Sequence, residues 1–240
     1  MLSFVFPAFN EAENLRRFPT EVVPVFDALG EPYEMIVVDD GSTDATRETA
    51  LALGAPIRVV AHDRNRGLGA AVRTGIAAAA GDLIVTMDAD LTFAPSLVPL
   101  LLERFRRGDV DVVSGSPKLA GYGSDIPSYR VFVGRLSTLV YSLLFGHRLT
   151  AVSPIFRLYR RADLVGLPLQ ATGFDINAEI LFHLVRQGRR VAEVPAALTQ
   201  RIHGTSKLNY PQEMRRHLRL ARRILSWRVG ALAPGAARRP

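Results

Sequence analysis

Residues 83–90, Leu-Ile-Val-Thr-Met-Asp-Ala-Asp, constrain the fold more than any other stretch of this chain. Residues 83–87 form an unbroken apolar run with β-branched members, and two carboxylates, Asp88 and Asp90, follow at alternate positions before Pro95. A strand wetted on one face alternates apolar and polar residues. An unbroken run marks a strand covered on both faces, the pattern of a parallel sheet between two helical layers. In open sheets of that kind ligands bind beyond the carboxyl ends of the strands. Two acids delivered there repel one another unless a cation lies between them, and hard oxygen ligands in a chain without cysteine favour magnesium or manganese. A bare Asp-x-Asp also reads as a turn that caps the next helix, so the remainder of the chain has to decide.

The strand-turn-helix unit recurs. Residues 2–7 form a short apolar strand, followed by Asn10-Glu11-Ala12-Glu13, the spacing of a helix N-cap with a capping-box Glu. Glu11 reads either as a site residue or as a first-turn acid that favours the helix dipole. Pro19 and Pro24 interrupt the helix that follows. Residues 34–38 form a second strand, ending in Asp39-Asp40-Gly41-Ser42-Thr43-Asp44 and a helix over 44–53, and residues 57–61 form a third. Gly67-Leu68-Gly69 then opens an Ala-rich helix. A dinucleotide fingerprint fails here, because its third glycine falls on Val72 and five residues part the motif from its strand. With Arg64 and Arg66 beside them, the two glycines read instead as a seat for an anion at a helix N-terminus. Three such units in some eighty residues predict an α/β fold, a mostly parallel doubly wound sheet with helices on both faces.

Further on, the pattern predicts a helix over 96–107, a strand over 111–115, a mobile loop over 118–129 and a helix over 131–145. Short strands at 156–159 and 191–194 flank a helix over 175–187. A last helix over 211–229 carries Met214, Leu218, Ala221 and Leu225 on one side, with Arg215, Arg216, Arg219, Arg222 and Arg223 around the remainder. That composition fits a basic amphipathic helix at a membrane surface, or a terminal helix packed on the core by the same apolar side. Residues 230–240 read as a disordered tail.

The net charge of +7 is not uniform: from Thr199 onward ten Lys or Arg face the single acid Glu213, leaving 20 basic against 22 acidic groups in residues 1–198. A uniformly basic nucleic-acid binder has no such division, and a localised basic end points to phosphates or an anionic membrane face. The 48% apolar composition fits one α/β domain with an extension, and no apolar run approaches the roughly 18 residues of a membrane span. With no cysteine and no signal-peptide layout, the expectation is a cytoplasmic protein, peripheral at the cytoplasmic membrane face.

Taken together, these motifs resemble those of the inverting family-2 glycosyltransferases with the GT-A nucleotide-sugar-binding fold, in particular the dolichyl- and polyprenyl-phosphate mannose or glucose synthases. Pro7-Ala8-Phe9-Asn10-Glu11, Val37-Val38-Asp39-Asp40-Gly41, Asn65-Arg66-Gly67-Leu68-Gly69, Met87-Asp88-Ala89-Asp90-Leu91, and Glu193-Val194-Pro195 followed by Arg201-x-x-Gly-x-Ser-Lys207 carry the resemblance in order. It implies a transferase domain over 1–210, with a nucleotide-sugar-binding half (1–115) and an acceptor half (116–210). Pro7, Phe9, Glu11, Asp39 and Ala89 would line the nucleotide-sugar pocket. Asp88 and Asp90 would hold Mg2+ or Mn2+ on the donor diphosphate, and Arg130, Arg201 and Lys207 would hold phosphates. The implied partners are a nucleoside-diphosphate sugar such as GDP-mannose and a lipid phosphate acceptor, with no nucleic acid; a separate membrane-anchoring subunit is the alternative to the basic helix. Three segments depart from the family's pattern. Thr92 stands where close relatives carry a Gln ligand, Lys118 follows Gly115-Ser116-Pro117, and Ala151-Val152-Ser153-Pro154-Ile155-Phe156-Arg157 replaces an Asp-x-Thr-Ser-Gly-Phe-Arg segment. The Glu-Asp pair of hydroxyl-directed members is absent near Asp175, which reads as a base or as a helix cap. A hydroxyl-directed enzyme and a non-catalytic nucleotide-sugar-binding protein are the alternatives.

Overall fold

The computed structural model describes residues 1–121, 128–204 and 209–232. Its strands are β1 (Leu2–Ala8), β2 (Tyr33–Asp39), β3 (Ile57–Ala61), β4 (Leu83–Thr86), β5 (Val112–Ser116), β6 (Arg157–Arg160) and β7 (Val191–Pro195). They form one sheet in the order β3-β2-β1-β4-β6-β5-β7. The pairings β1/β2, β2/β3, β1/β4 and β5/β7 are parallel, and only β6 runs against its neighbours β4 and β5. The helices are α1 (Ala12–Leu15), α2 (Phe18–Glu21), α3 (Val23–Asp27), α4 (Thr46–Ala52), α5 (Leu68–Ala78), α6 (Val98–Arg106), α7 (Pro117–Ala120), α8 (Ser128–Phe145), α9 (Arg161–Leu164), α10 (Ile176–Arg186) and α11 (Tyr210–Leu232). The α/β, mostly parallel architecture expected from the sequence is present.

The side-chain period of two along a strand divides the core into two layers. On one face Phe4, Phe6, Met35 and Val37 meet Leu15, Phe18 and Phe26 of the short helices, together with Val98, Leu101 and Leu102 of α6. Phe4 stacks on Phe26 with ring centroids 3.7 Å apart. On the other face Val5, Ile36, Val38 and Ile84 meet Val72 and Ile76 of α5, Ile180 and Leu184 of α10, and Leu220 and Ile224 of α11. Covering both faces is what the unbroken apolar strands require.

Two local expectations fail. The capping box does not form: Glu11 occupies the N-cap of α1 without a capping hydrogen bond. Asn10 instead takes a left-handed φ of 56° and accepts the Thr43 amide at 2.8 Å, bracing the β1 and β2 loops against each other. The apolar side read for the last helix is also not the buried one. Leu220 and Ile224 are buried, whereas Met214, Leu218 and Leu225 are 50–55% exposed. Residues 118–120 lie in α7 and residues 122–127 of the expected loop fall outside the described residues, as do residues 233–240 of the expected tail.

Candidate active site

The chain order reverses between β1 and β4: β2 and β3 build outward on one side of β1, and β4 begins the other. Such a switch point leaves a crevice at the strand carboxyl ends. Phe9, Asn10 and Glu11 follow β1, Asp39 and Asp40 close β2, and Asp88 and Asp90 follow β4, so the predicted residues converge on one rim. Two non-glycine residues in the left-handed region, Asn10 (φ 56°) and Leu91 (φ 57°), lie at this rim. Backbone of this kind persists only where its surroundings over-determine it.

The Asp88-Ala89-Asp90 turn is held from within. Asp90 is buried, and its Oδ1 accepts the Thr92 amide at 3.0 Å. Its Oδ2 receives Arg201 Nη2 at 2.6 Å, and Arg201 Nη1 reaches Glu11 Oε1 at 3.0 Å. One guanidinium therefore spans two buried carboxylates from separate loops. Glu11 also accepts Asn14 Nδ2 at 2.5 Å, so its place is set by the site rather than by the dipole of α1. Asp88 keeps part of its surface open to a cleft although protein surrounds it closely. Burial, then the charges of Asp90 and Glu11, raise its carboxyl pKa well above the usual range, against the opposing pull of Arg201. Among the described residues no three His, Asp or Glu side chains converge as a self-sufficient metal cage. The donor set nevertheless fits a divalent cation: hard carboxylate oxygens lie short of positive charge, and a guanidinium already stands among them. A cation here would complete its shell with ligand oxygens or water, as magnesium commonly does. Thr92 contributes its amide to Asp90 and its carbonyl to Thr199, which donates N–H at 2.9 Å and Oγ1 at 3.0 Å.

Asp39 and Asp40 divide their labour because successive residues face opposite ways. Asp39 Oδ1 accepts the Ser42 amide at 3.0 Å. Asp40, which the sequence reading left without a role, accepts the amides of Arg66 (2.9 Å) and Gly67 (2.8 Å) and meets His62 Nδ1 at 2.6 Å. The anion seat expected at Gly67 and Gly69 is closed: a Cβ at either would lie 2.2–2.3 Å from the carbonyl oxygen of Thr172 or Ala171. These glycines admit protein backbone, and Arg66 pairs with Asp63 at the surface. Gly41 is as tightly enclosed, with φ +69° and its notional Cβ 2.3 Å from the Arg64 carbonyl carbon. Gly41→Ala is expected to cost more than the roughly 1–2 kcal/mol of left-handed backbone alone. At about 2–4 °C per kcal/mol the melting temperature drops by several degrees, measurable by calorimetry.

From Asp88 a cleft of about 220 Å³ runs between Phe93, Pro117, Ala151, Ser153, Pro154 and Ile155 to Val131, Gly134 and Thr138 of α8. Its wall at 150–155 is fastened on all sides. Glu193 accepts the amides of Thr150 (2.7 Å) and Ala151 (2.9 Å), Asn177 Nδ2 donates to the Ser153 carbonyl at 2.8 Å, and Thr86 Oγ1 donates to that of Ile155 at 2.5 Å. Fully buried Arg157 donates to the Val152 carbonyl at 2.5 Å, the Asn177 carbonyl at 2.6 Å and Ser114 Oγ at 3.0 Å. Sequence reasoning missed Arg157 and Glu193 as organisers of this wall; a lone Arg inside an apolar strand run is the signal that was available. Asp175 is buried and accepts the Gly173 amide at 3.0 Å without capping α10, while its neighbours Phe174 and Asn177 line the cleft. Arg130 lies in the first turn of α8 with its side chain outside the described residues, and Lys207 falls outside them entirely. Away from its cleft-lining residues α8 exposes Phe132 (67%), Leu136 (51%), Leu139 (57%) and Leu143 (70%) to solvent.

Residues 3–166 match the model of glycosyl transferase family 2. The chain is 32% identical to a dolichol-phosphate mannosyltransferase of Pyrococcus furiosus over 94% of its length, spanning 64% of that relative. It is 31% identical to an undecaprenyl-phosphate mannosyltransferase of Micrococcus luteus, with 85% of this chain and 86% of the relative covered. Among solved structures, glucosyl-3-phosphoglycerate synthase of Mycobacterium tuberculosis in complex with Mn2+, UDP and glucosyl-3-phosphoglycerate superposes with a TM-score of 0.70 at 26% identity, covering 98% of this chain and 81% of that one. The same enzyme with phosphoglyceric acid gives 0.71 at 25% identity, covering 94% and 79%. With its acid-lined switch point and its seven-stranded sheet, the chain belongs to glycosyl transferase family 2.

Proposed function

We propose that this protein transfers a hexose, mannose or glucose, with inversion from a nucleoside-diphosphate sugar to a polyprenyl (dolichyl-type) phosphate, dependent on Mg2+ or Mn2+. The observation that carries this reading is the cleft, which runs from Asp88 to Val131, Gly134 and Thr138 of α8, a helix that elsewhere on its surface exposes the apolar side chains Phe132, Leu136, Leu139 and Leu143. A ligand with a charged head and an apolar tail matches that polarity. Pro7, Phe9, Glu11, Asp39 and Ala89 would surround the base, ribose and sugar. Asp88 and Asp90, with Thr92 as a weaker third ligand, would hold the cation, which when bound would stabilise the charge on the leaving diphosphate. Arg201, with Arg130 and Lys207, would hold phosphate oxygens. A phosphate monoester is already largely ionised at neutral pH, so the acceptor needs no general base. The position of Asp175, buried off the cleft, agrees with that.

Among the described residues no helix is long and apolar enough to cross a membrane. Peripheral contact would come from α8 and from the outer side of α11, where Met214, Leu218 and Leu225 lie exposed beside Arg215, Arg219 and Arg222. Arg216 and Arg223 turn inward to Glu213 and Glu179. The likeness to glucosyl-3-phosphoglycerate synthase favours a second reading, transfer to a hydroxyl. Labelled GDP-mannose and UDP-glucose, each offered with polyprenyl phosphate and with 3-phosphoglycerate plus Mn2+ or Mg2+, separate the two. The expected product is the lipid-linked hexose. Transfer to the soluble acceptor alone would discard the lipid reading.

A further inference from the structure

We propose that Arg201 makes cation binding at Asp88 and Asp90 conditional on a diphosphate, because its guanidinium occupies the Asp90 oxygen a divalent cation would need. The inference rests on the nucleoside-diphosphate donor proposed above and is independent of the acceptor. Both oxygens of Asp90 are engaged, Oδ1 by the Thr92 amide and Oδ2 by Arg201 Nη2 at 2.6 Å. Only the second partner can leave without unwinding the turn. The other arm of the fork is on Glu11 at 3.0 Å, and both carboxylates are more than nine-tenths buried. Water and salt screen such a pair far less than a surface one.

Arginine stays charged at every working pH, so it is a standing competitor for this seat. A divalent cation arriving alone has to displace it from Asp90 and break one half of the bridge it makes between Asp90 and Glu11. A diphosphate changes the exchange: its oxygens offer the fork a bidentate acceptor, Asp90 Oδ2 is released, and the cation finds carboxylates and phosphate oxygens together. The movement is local. Thr199 is clasped to the Thr92 carbonyl, Asn14 Nδ2 donates to the His203 carbonyl at 3.4 Å, and Arg201 lies between these anchors on irregular backbone. Coupling of this kind is reciprocal, so the cation tightens donor binding by the same factor.

The test is a Mn2+ titration of the full chain, read by the electron paramagnetic resonance of free Mn2+, without nucleotide and with saturating UDP. Wild type is expected to bind Mn2+ weakly alone and ~10-fold or more tightly with UDP, within the usual range of coupling between sites. Arg201→Met is expected to bind Mn2+ alone more tightly than wild type and to show a smaller gain from UDP. Arg201→Lys, which keeps the charge but cannot fork, is expected to fall between them. Circular dichroism confirms that each variant is folded. A Met variant whose affinity for Mn2+ alone is unchanged or weaker overturns the inference and leaves the donor reading standing. Absence of Mn2+ binding to wild type even with UDP overturns both.

Discussion

Asp88→Asn is expected to abolish transfer while making the metal-free protein more stable. Losing about 4 kcal/mol of leaving-group stabilisation corresponds to about 10³-fold in turnover. The stability gain follows from the sign of the shift. The Asp88 carboxyl is raised by burial and by the charges of Asp90 and Glu11, so ionising it is harder in the folded chain than in the unfolded one. Below the unfolded pKa this makes no difference; as pH rises through the folded pKa, the wild type loses stability progressively. The neutral amide escapes that loss. A higher melting temperature than wild type is expected above that window in EDTA, and no difference below it. Asp90→Asn should inactivate the enzyme equally but lower stability, because Asp90 is matched to Arg201 and the Thr92 amide. Thermal melts from pH 4 to 8 beside turnover assays read both effects. An Asp88→Asn variant that keeps turnover, or melts lower than wild type at neutral pH, would show that the turn is structural.

The opposite responses expected of two acids two residues apart mark the limit of what the sequence made legible. Their place at a strand end could be read, because an unbroken apolar run followed by acids has few other meanings in an α/β chain. Which acid pairs with protein and which faces the cleft depends on Arg201, 111 residues beyond Asp90. The same holds for Asp39 and Asp40, where only the pleat decides that Asp40 turns to His62 and the Gly67 amide. The reversed direction of β6 left no local mark, since parallel and antiparallel strands buried on both faces share one composition. The last helix misled for another reason. It carries two apolar stripes, and burial fell to Leu220 and Ile224 because α10 and α8 meet them there: Trp227 stacks on Phe182 at 5.3 Å, and Tyr141 bonds His217 Nδ1 at 2.7 Å. Nor did the pattern show that α8 would keep an apolar face outward. Its period marks a helix but not which neighbours arrive to cover it.

The second large effect is expected at Arg157. It is fully buried, bonded to three neutral acceptors, and among the described residues no carboxylate pairs with it. Arg157→Met leaves Ser114 Oγ and the Val152 carbonyl without this donor and strips the Asn177 carbonyl, at the start of α10, of the bond it makes outside the helix. Each lost partner costs about 1–3 kcal/mol, partly offset because a buried charge is removed. A net loss of about 2–4 kcal/mol follows, lowering the melting temperature by roughly 4–16 °C. The functional effect should be one-sided. Those carbonyls belong to the wall carrying Ser153, Pro154 and Asn177, whereas Glu11, Asp39 and Asp90 are fastened by other bonds. KM for the acceptor is therefore expected to rise ~10-fold with donor KM nearly unchanged, a difference of about 1.4 kcal/mol in transition-state stabilisation. Glu193→Gln provides the contrast. It loosens the same wall at Thr150 and Ala151 while removing a negative charge. If Arg157 acted only as a fastener, both variants would weaken the acceptor alike. If its uncompensated positive charge also draws an anionic acceptor, Arg157→Met suffers and Glu193→Gln is spared, a comparison that steady-state kinetics at low and high ionic strength resolves. Equal shifts in donor and acceptor KM would remove Arg157 from the acceptor wall altogether.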